Sequence, residues 1–185
     1  YRPIPTAKVL LLLLLSTCSA TLLFFVSPLL WTLSFMVVAF WVFVLAIPTF
    51  FYKRLIVHKA AAKMSYLRNI KVIGITGSYG KSSTKELVAE VLSAKFKVVR
   101  TPKNNNTLVG VARTILKSVG KETDVFVVEM GAYKRGEIAQ LCRLVKPSIG
   151  VLTGLCAQHL ALFGSMKNLV SAKLELAEAV GDGGV

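Results

Sequence analysis

The chain has 185 residues, room for one compact domain and an appendage but not for two full enzymatic domains. Its net charge of +14 invites a nucleic-acid reading, yet no Asp or Glu precedes Glu86, and from there on thirteen basic side chains face nine acidic ones, so the excess is mostly N-terminal. That excess lacks interleaved aromatics on one face, which argues against a nucleic-acid partner, and Cys18, Cys142 and Cys156 are too scattered for a zinc site or a disulfide framework.

From Val9 to Tyr52 there is not one charged residue, and the run divides at Ser27-Pro28 into segments 9–26 and 29–50. Each is close to the roughly 20 residues with which a helix crosses a hydrocarbon layer about 30 Å thick. The pattern predicts a two-helix transmembrane hairpin over residues 1–52, with a tight turn at the far face and Trp31 near that interface. Arg2 and Lys8 precede the first span; Lys53, Arg54, Lys59, Lys63, Arg68 and Lys71 follow the second; the connection is uncharged. The positive-inside rule then makes both flanks cytoplasmic, in a multi-pass protein of the cytoplasmic membrane whose basic linker, 53–70, rests on the anionic headgroups of the lipid bilayer. A cleaved signal peptide is disfavoured by the second apolar segment, and a hairpin buried in a soluble fold by the lack of chain to cover it. A start on Tyr1 and a close on the turn-like Gly181 to Val185 suggest a fragment of a longer protein.

Beyond Asn69 short apolar runs alternate with helical stretches. Strands are expected at Lys71 to Thr76, Lys97 to Thr101, Asp124 to Met130 and Ser148 to Gly154. Helices are expected at Lys81 to Lys95, Leu108 to Val119, Arg135 to Val145 and near Lys167 to Val180. Such alternation implies an α/β fold with a parallel sheet covered by helices, and ligands at the carboxyl ends of its strands.

At the end of the first strand stands "TGSYGKSS", Thr76 to Ser83. All eight are candidate nucleotide-binding residues, Thr76, Ser78, Tyr79 and Ser83 among them: Gly77 and Gly80 let backbone N–H groups turn toward an anion, Lys81 can reach terminal phosphates, and the Ser82 hydroxyl can ligate magnesium. The first glycine of the full GxxxxGK[ST] pattern is absent, since Ile75 occupies its place. The competing reading is a glycine turn that merely opens a helix.

Thr followed by Gly-x-x-Gly-Lys-Ser resembles the Mur ligase family. So do "TPKNNNTLVGVARTIL" (Thr101 to Leu116), "VVEMGAYKRGEIAQL" (Val127 to Leu141) and "GLCAQHLALFGSMKNLVSAKLEL" (Gly154 to Leu176), the last two being nearest its D-alanyl-D-alanine-adding branch. The resemblance implies a Mur ligase-like ATP-binding domain over 71–185, incomplete at its C-terminus and inactive as a fragment. It also implies ATP and Mg2+ at two sites, and a reaction in which a carboxylate acceptor is phosphorylated by ATP and the acyl phosphate attacked by the amine of an amino acid or dipeptide.

Glu129 ends an apolar strand, so its carboxylate emerges near Ser82, where the resemblance makes it a magnesium ligand rather than half of a surface ion pair. His159 is implied as a ligand of the second metal, Lys173 as a carbamylated lysine beside it, and Asn105, Asn106 and Thr107 as substrate-binding residues. A membrane-associated polyglutamate-type synthetase and a non-catalytic nucleotide-binding scaffold are the alternatives.

Overall fold

The computed structural model describes residues 7–26, 34–67, 69–103, 105–156 and 160–181. They fall into two compact units, Tyr1–Arg54 and Leu55–Val185.

The first unit holds helix α1 (Ala7–Val26) and the greater part of helix α2 (Ser34–Tyr66). Their large side chains face outward: Leu14, Leu22, Phe40, Phe43 and Phe51 are all exposed. The hydroxyls of Ser16, Thr17, Ser19 and Thr21 donate to carbonyls three or four residues back, so these polar groups are satisfied inside their own helix. The Trp41 indole N–H donates to Ser19 Oγ at 3.0 Å. By length and composition α2 is able to cross a membrane, whereas the apolar run described in α1, Val9–Leu22, is too short. One described helix, not the expected two, passes that test. Arg2, the Ser27-Pro28 turn, Trp31 and Arg68 lie outside the described residues.

Residues 53–66, expected as a basic linker, are helical instead. The reason is an apolar stripe at Ile56, Ala60, Met64 and Leu67, spaced four, four and three residues apart. Within the second unit Ile56 and Ala60 are buried, with Met64 and Leu67 packed against the same core. Lys63, one of the basic residues expected at the headgroups, is engaged within the fold. Its ammonium donates to the Ile115 and Leu116 carbonyls at 2.9 and 3.1 Å, closing the C-terminus of helix α4 (Leu108–Ser118), where free carbonyls and the helix dipole favour a cation.

The sheet has four parallel strands in the order β2 (Val98–Arg100), β3 (Val125–Glu129), β1 (Lys71–Thr76), β4 (Ile149–Leu152). Side chains alternate between its faces as the strand pleat requires. Ile73, Ile75, Val125 and Val127 pack with Ala89 of helix α3 (Lys81–Ser93) on one face. Val72, Phe126, Val128 and Met130 pack on the other with α4, α5 (Glu137–Val145) and α7 (Met166–Val180). Every strand and helix expected beyond residue 70 is present, trimmed by up to two residues at an end or extended by one, and a four-residue helix α6 (Leu160–Phe163) is added. In the β1–β3 pair Ile75 lies opposite Glu129, so the loop after β1 and the carboxylate ending β3 share one edge.

Candidate functional site

The loop joining β1 to α3 is shaped by two glycines in the left-handed half of backbone space, Gly77 at φ 151° and Gly80 at φ 79°. A Cβ on Gly77 would collide with the Thr153 hydroxyl. That hydroxyl donates to the Tyr79 carbonyl at 2.6 Å, with the Thr76 carbonyl 3.1 Å away, while the Ser78 N–H donates to the Gly154 carbonyl. Thr153 and Gly154, just past β4, therefore clasp the loop from the neighbouring strand. Neither residue figured among the sequence-derived candidates.

Lys81 opens α3 and lays its ammonium over the loop, 2.9 Å from the Gly77 carbonyl and 3.2 Å from that of Ser78. Ser82 Oγ donates to Glu129 Oε2 at 2.9 Å. Glu129 is 2 % exposed and engaged on both oxygens, with Asn106 Nδ2 donating to Oε1 at 3.0 Å. Its backbone N–H donates to Thr101 Oγ1 at 3.0 Å. Lys81, Ser82, Glu129 and Asn106 are thus brought together at the sheet's carboxyl edge.

The remaining expected residues separate. Thr76 is fully buried and its hydroxyl donates to the Met130 carbonyl, so it is used inside the sheet. Tyr79, Gly80 and Ser83 lie exposed on the loop and first turn. Of the trio 105–107, Asn106 alone reaches Glu129: Asn105 is exposed, and Thr107 caps α4 by accepting from the Gly110 N–H. His159 lies outside the described residues.

Lys173 sits on α7, buried, its ammonium 5.9 Å from the centroid of the Phe163 ring. With Gly77, Ser78, Lys81, Asn106 and Tyr133 it lines a cavity of about 90 Å³ beside the loop. Burial, and then the Lys81 ammonium, lower its pKa to about 8; Glu137 and Glu175 oppose them. The Phe-Gly-Ser stretch explains how α7 is set. Phe163 is a buried anchor, Gly164 turns the chain at φ 72°, and Ser165 caps the helix by accepting from the Asn168 N–H.

Besides Thr153 and Gly154, sequence reasoning missed Lys85. Fully buried on α3, its ammonium lies 3.2 Å from Glu129 Oε2 and donates to the Lys103 carbonyl at 2.8 Å.

A parallel α/β sheet, a glycine loop running into a helix headed by Lys-Ser, and a carboxylate on the adjacent strand define a P-loop-type domain. The Mur ligase middle domain family matches residues 75–185, and the chain belongs to the Mur ligase family. It is 39% identical over 127 residues to the UDP-N-acetylmuramoyl-tripeptide–D-alanyl-D-alanine ligase of Mycobacterium leprae, a match covering 69% of this chain and 24% of that protein. To the ligase of the same description from Escherichia coli it is 36% identical over 115 residues, covering 62% of this chain and 25% of that one. Among solved structures, MurF from Acinetobacter baumannii superposes with a TM-score of 0.67 at 30% identity, over 71% of this chain and 29% of that one. MurF from Thermotoga maritima, solved in complex with ADP, gives 0.66 at 32% identity, over 70% and 30%. The chain spans about a quarter of the length of the curated relatives it matches.

Proposed function

We propose that this chain carries the ATP site of a membrane-anchored, amide-forming ligase of peptidoglycan precursor synthesis. The substrate carboxylate attacks the γ-phosphate of ATP, the acyl phosphate forms and ADP leaves. An amine then displaces phosphate to give the amide. By likeness to the relatives, the carboxylate is that of a UDP-N-acetylmuramoyl-tripeptide and the amine that of D-alanyl-D-alanine.

The observation that carries this reading is Ser82 Oγ at 2.9 Å from Glu129 Oε2, one residue beyond Lys81 and at the mouth of the glycine loop. Loop N–H groups and the α3 N-terminus hold phosphate oxygens, and the Lys81 ammonium, now on loop carbonyls, is within reach of the terminal phosphates. No side-chain nucleophile is needed; the chain's task is to position the triphosphate and offset charge on the transferring group.

The donor set suits Mg2+. A hydroxyl and a carboxylate are hard oxygen ligands, and Mg2+ characteristically binds through one or two such groups plus phosphate oxygens. Phosphate oxygens and water would complete the shell around these two side chains. When bound, the metal would neutralise charge on the phosphates. Lys173, with part of its amine neutral at physiological pH, is suited to take up CO2 as a carbamate, releasing one proton, and would join His159 at a second metal.

The apolar exterior of α2 anchors the chain in the bilayer, with the P-loop unit on the cytoplasmic side where ATP is available. The test uses the full-length protein in mild detergent with tripeptide precursor, D-alanyl-D-alanine and Mg–ATP. Wild type should release ADP and form the amide, and Lys81→Ala should reduce turnover at least about a hundredfold. Undiminished turnover in Lys81→Ala refutes the reading, and recovery of the protein in the soluble fraction after alkaline washing of membranes refutes the anchor.

A further inference from the structure

Lys85 has no part in the reading above, and its surroundings are unusual for a lysine. It is wholly buried one helical turn after Lys81, and its ammonium has three partners: the Lys103 carbonyl at 2.8 Å, Glu129 Oε2 at 3.2 Å and Glu86 Oε1 at 3.2 Å. Lys103 adopts φ 45°, a conformation that non-glycine residues seldom occupy, and its carbonyl is spent on Lys85. Glu86 is held in turn by Arg100 Nε at 2.7 Å. The chain has thus built two supports for this ammonium besides Glu129.

We infer that Lys85 is a displaceable counter-cation of Glu129, which makes metal binding at Ser82 and Glu129 depend on the nucleotide. The inference rests on the assignment of those two residues as the metal's protein donors. A divalent ion approaching Glu129 alone meets an ammonium already paired with the same oxygen, in a buried site where like charges are poorly screened. Lys81, one turn away on the same helix, adds to the repulsion. A triphosphate reverses the balance, because its negative charge exceeds that of the two lysines. Once Glu129 turns to the metal, Lys85 retains the Lys103 carbonyl and Glu86 Oε1, so no buried charge is stranded. The metal is therefore taken up together with the nucleotide and not before it.

The test measures Mn2+ binding by electron paramagnetic resonance to the full chain in mild detergent, with and without a non-hydrolysable ATP analogue. Wild type should bind Mn2+ tightly with the analogue alone. Lys85→Met should bind Mn2+ about tenfold or more tighter than wild type when no nucleotide is present, and nearly equally when it is. A side chain that only supported the fold would weaken both affinities on removal. Equal nucleotide-free affinities in wild type and variant overturn the inference while leaving the metal site standing. If wild type takes up no Mn2+ even with the analogue, the assignment of Ser82 and Glu129 fails, and this inference with it. Should Lys85→Met not fold, Lys85→Gln, which keeps an N–H donor for the Lys103 carbonyl without the charge, takes its place, and the same two outcomes support or overturn the inference.

Discussion

Replacing Lys173 by methionine should remove a pH-dependent weakness from the fold. Lys173 is 5 % exposed, and burial, with Lys81 second, lowers its pKa from 10.5 to about 8. Between those values the unfolded chain binds a proton that the folded chain has shed, so stability rises with pH in that window. The penalty for enclosing the charge is complete below pH 8 and relieved as pH climbs toward 10.5. A shift of this size corresponds to roughly 3 kcal/mol, of which about 2.5 kcal/mol is recovered between about pH 7 and pH 10. Methionine keeps the apolar stem without the charge, so the difference between the two proteins isolates this one group. Urea unfolding in mild detergent and CO2-free buffer, followed by circular dichroism, should find Lys173→Met the more stable by about 3 kcal/mol near pH 7 and by less than about 1 near pH 10. A difference that stays constant across that range, or widens with pH, refutes the reasoning.

Three further outcomes can be checked alongside. Lys85→Met and Glu129→Gln each break a buried pair and should each cost about 3 kcal/mol in urea unfolding, while the double variant loses at least about 1 kcal/mol less than their sum. Gly77→Ala, which drives a methyl into the Thr153 hydroxyl at a φ unfavourable to alanine, should destabilise by about 2 kcal/mol and abolish binding of a fluorescent ATP analogue. Lys63→Ala frees the last carbonyls of α4 and should cost about 1–2 kcal/mol, with faster amide exchange in residues 115–118.

The glycine loop was legible because glycines, lysine and serine follow an apolar strand, and local rules for a strand-to-helix turn need nothing distant. Glu129 was legible because it closes an unbroken apolar run. Thr153 was not: it acts through one hydroxyl on loop carbonyls 77 and 74 positions earlier in the chain, and no local pattern marks such a contact. Lys85 was hidden because a lysine on a helix ordinarily lies in solvent. The available signal was its spacing, four residues before Ala89, on the core-facing stripe of α3. Residues 53–66 were read from charge alone, so their helix was not foreseen. The stripe Ile56, Ala60, Met64 and Leu67 already carried the helical period, and the lysines among them were flanks of an amphipathic helix.

Three lysines stand at this end of the sheet, and each is satisfied differently. Lys81 is held by loop carbonyls, Lys85 by two carboxylates and a carbonyl, and Lys173 by the face of Phe163, with its pKa lowered to about 8. Glu129 pairs with Lys85, while Lys81 acts on Lys173 as a like charge, a cationic repulsion that a polyanion would relieve. The Lys81 and Lys173 ammonium groups repel through the loop-side cavity, which is where a bound phosphate would stand between them. A carbamate on Lys173 would turn that repulsion into attraction and leave Lys81 free for the nucleotide. Stability given up at the loop edge would then favour a bound triphosphate, whose negative charge offsets the repulsion between the lysines.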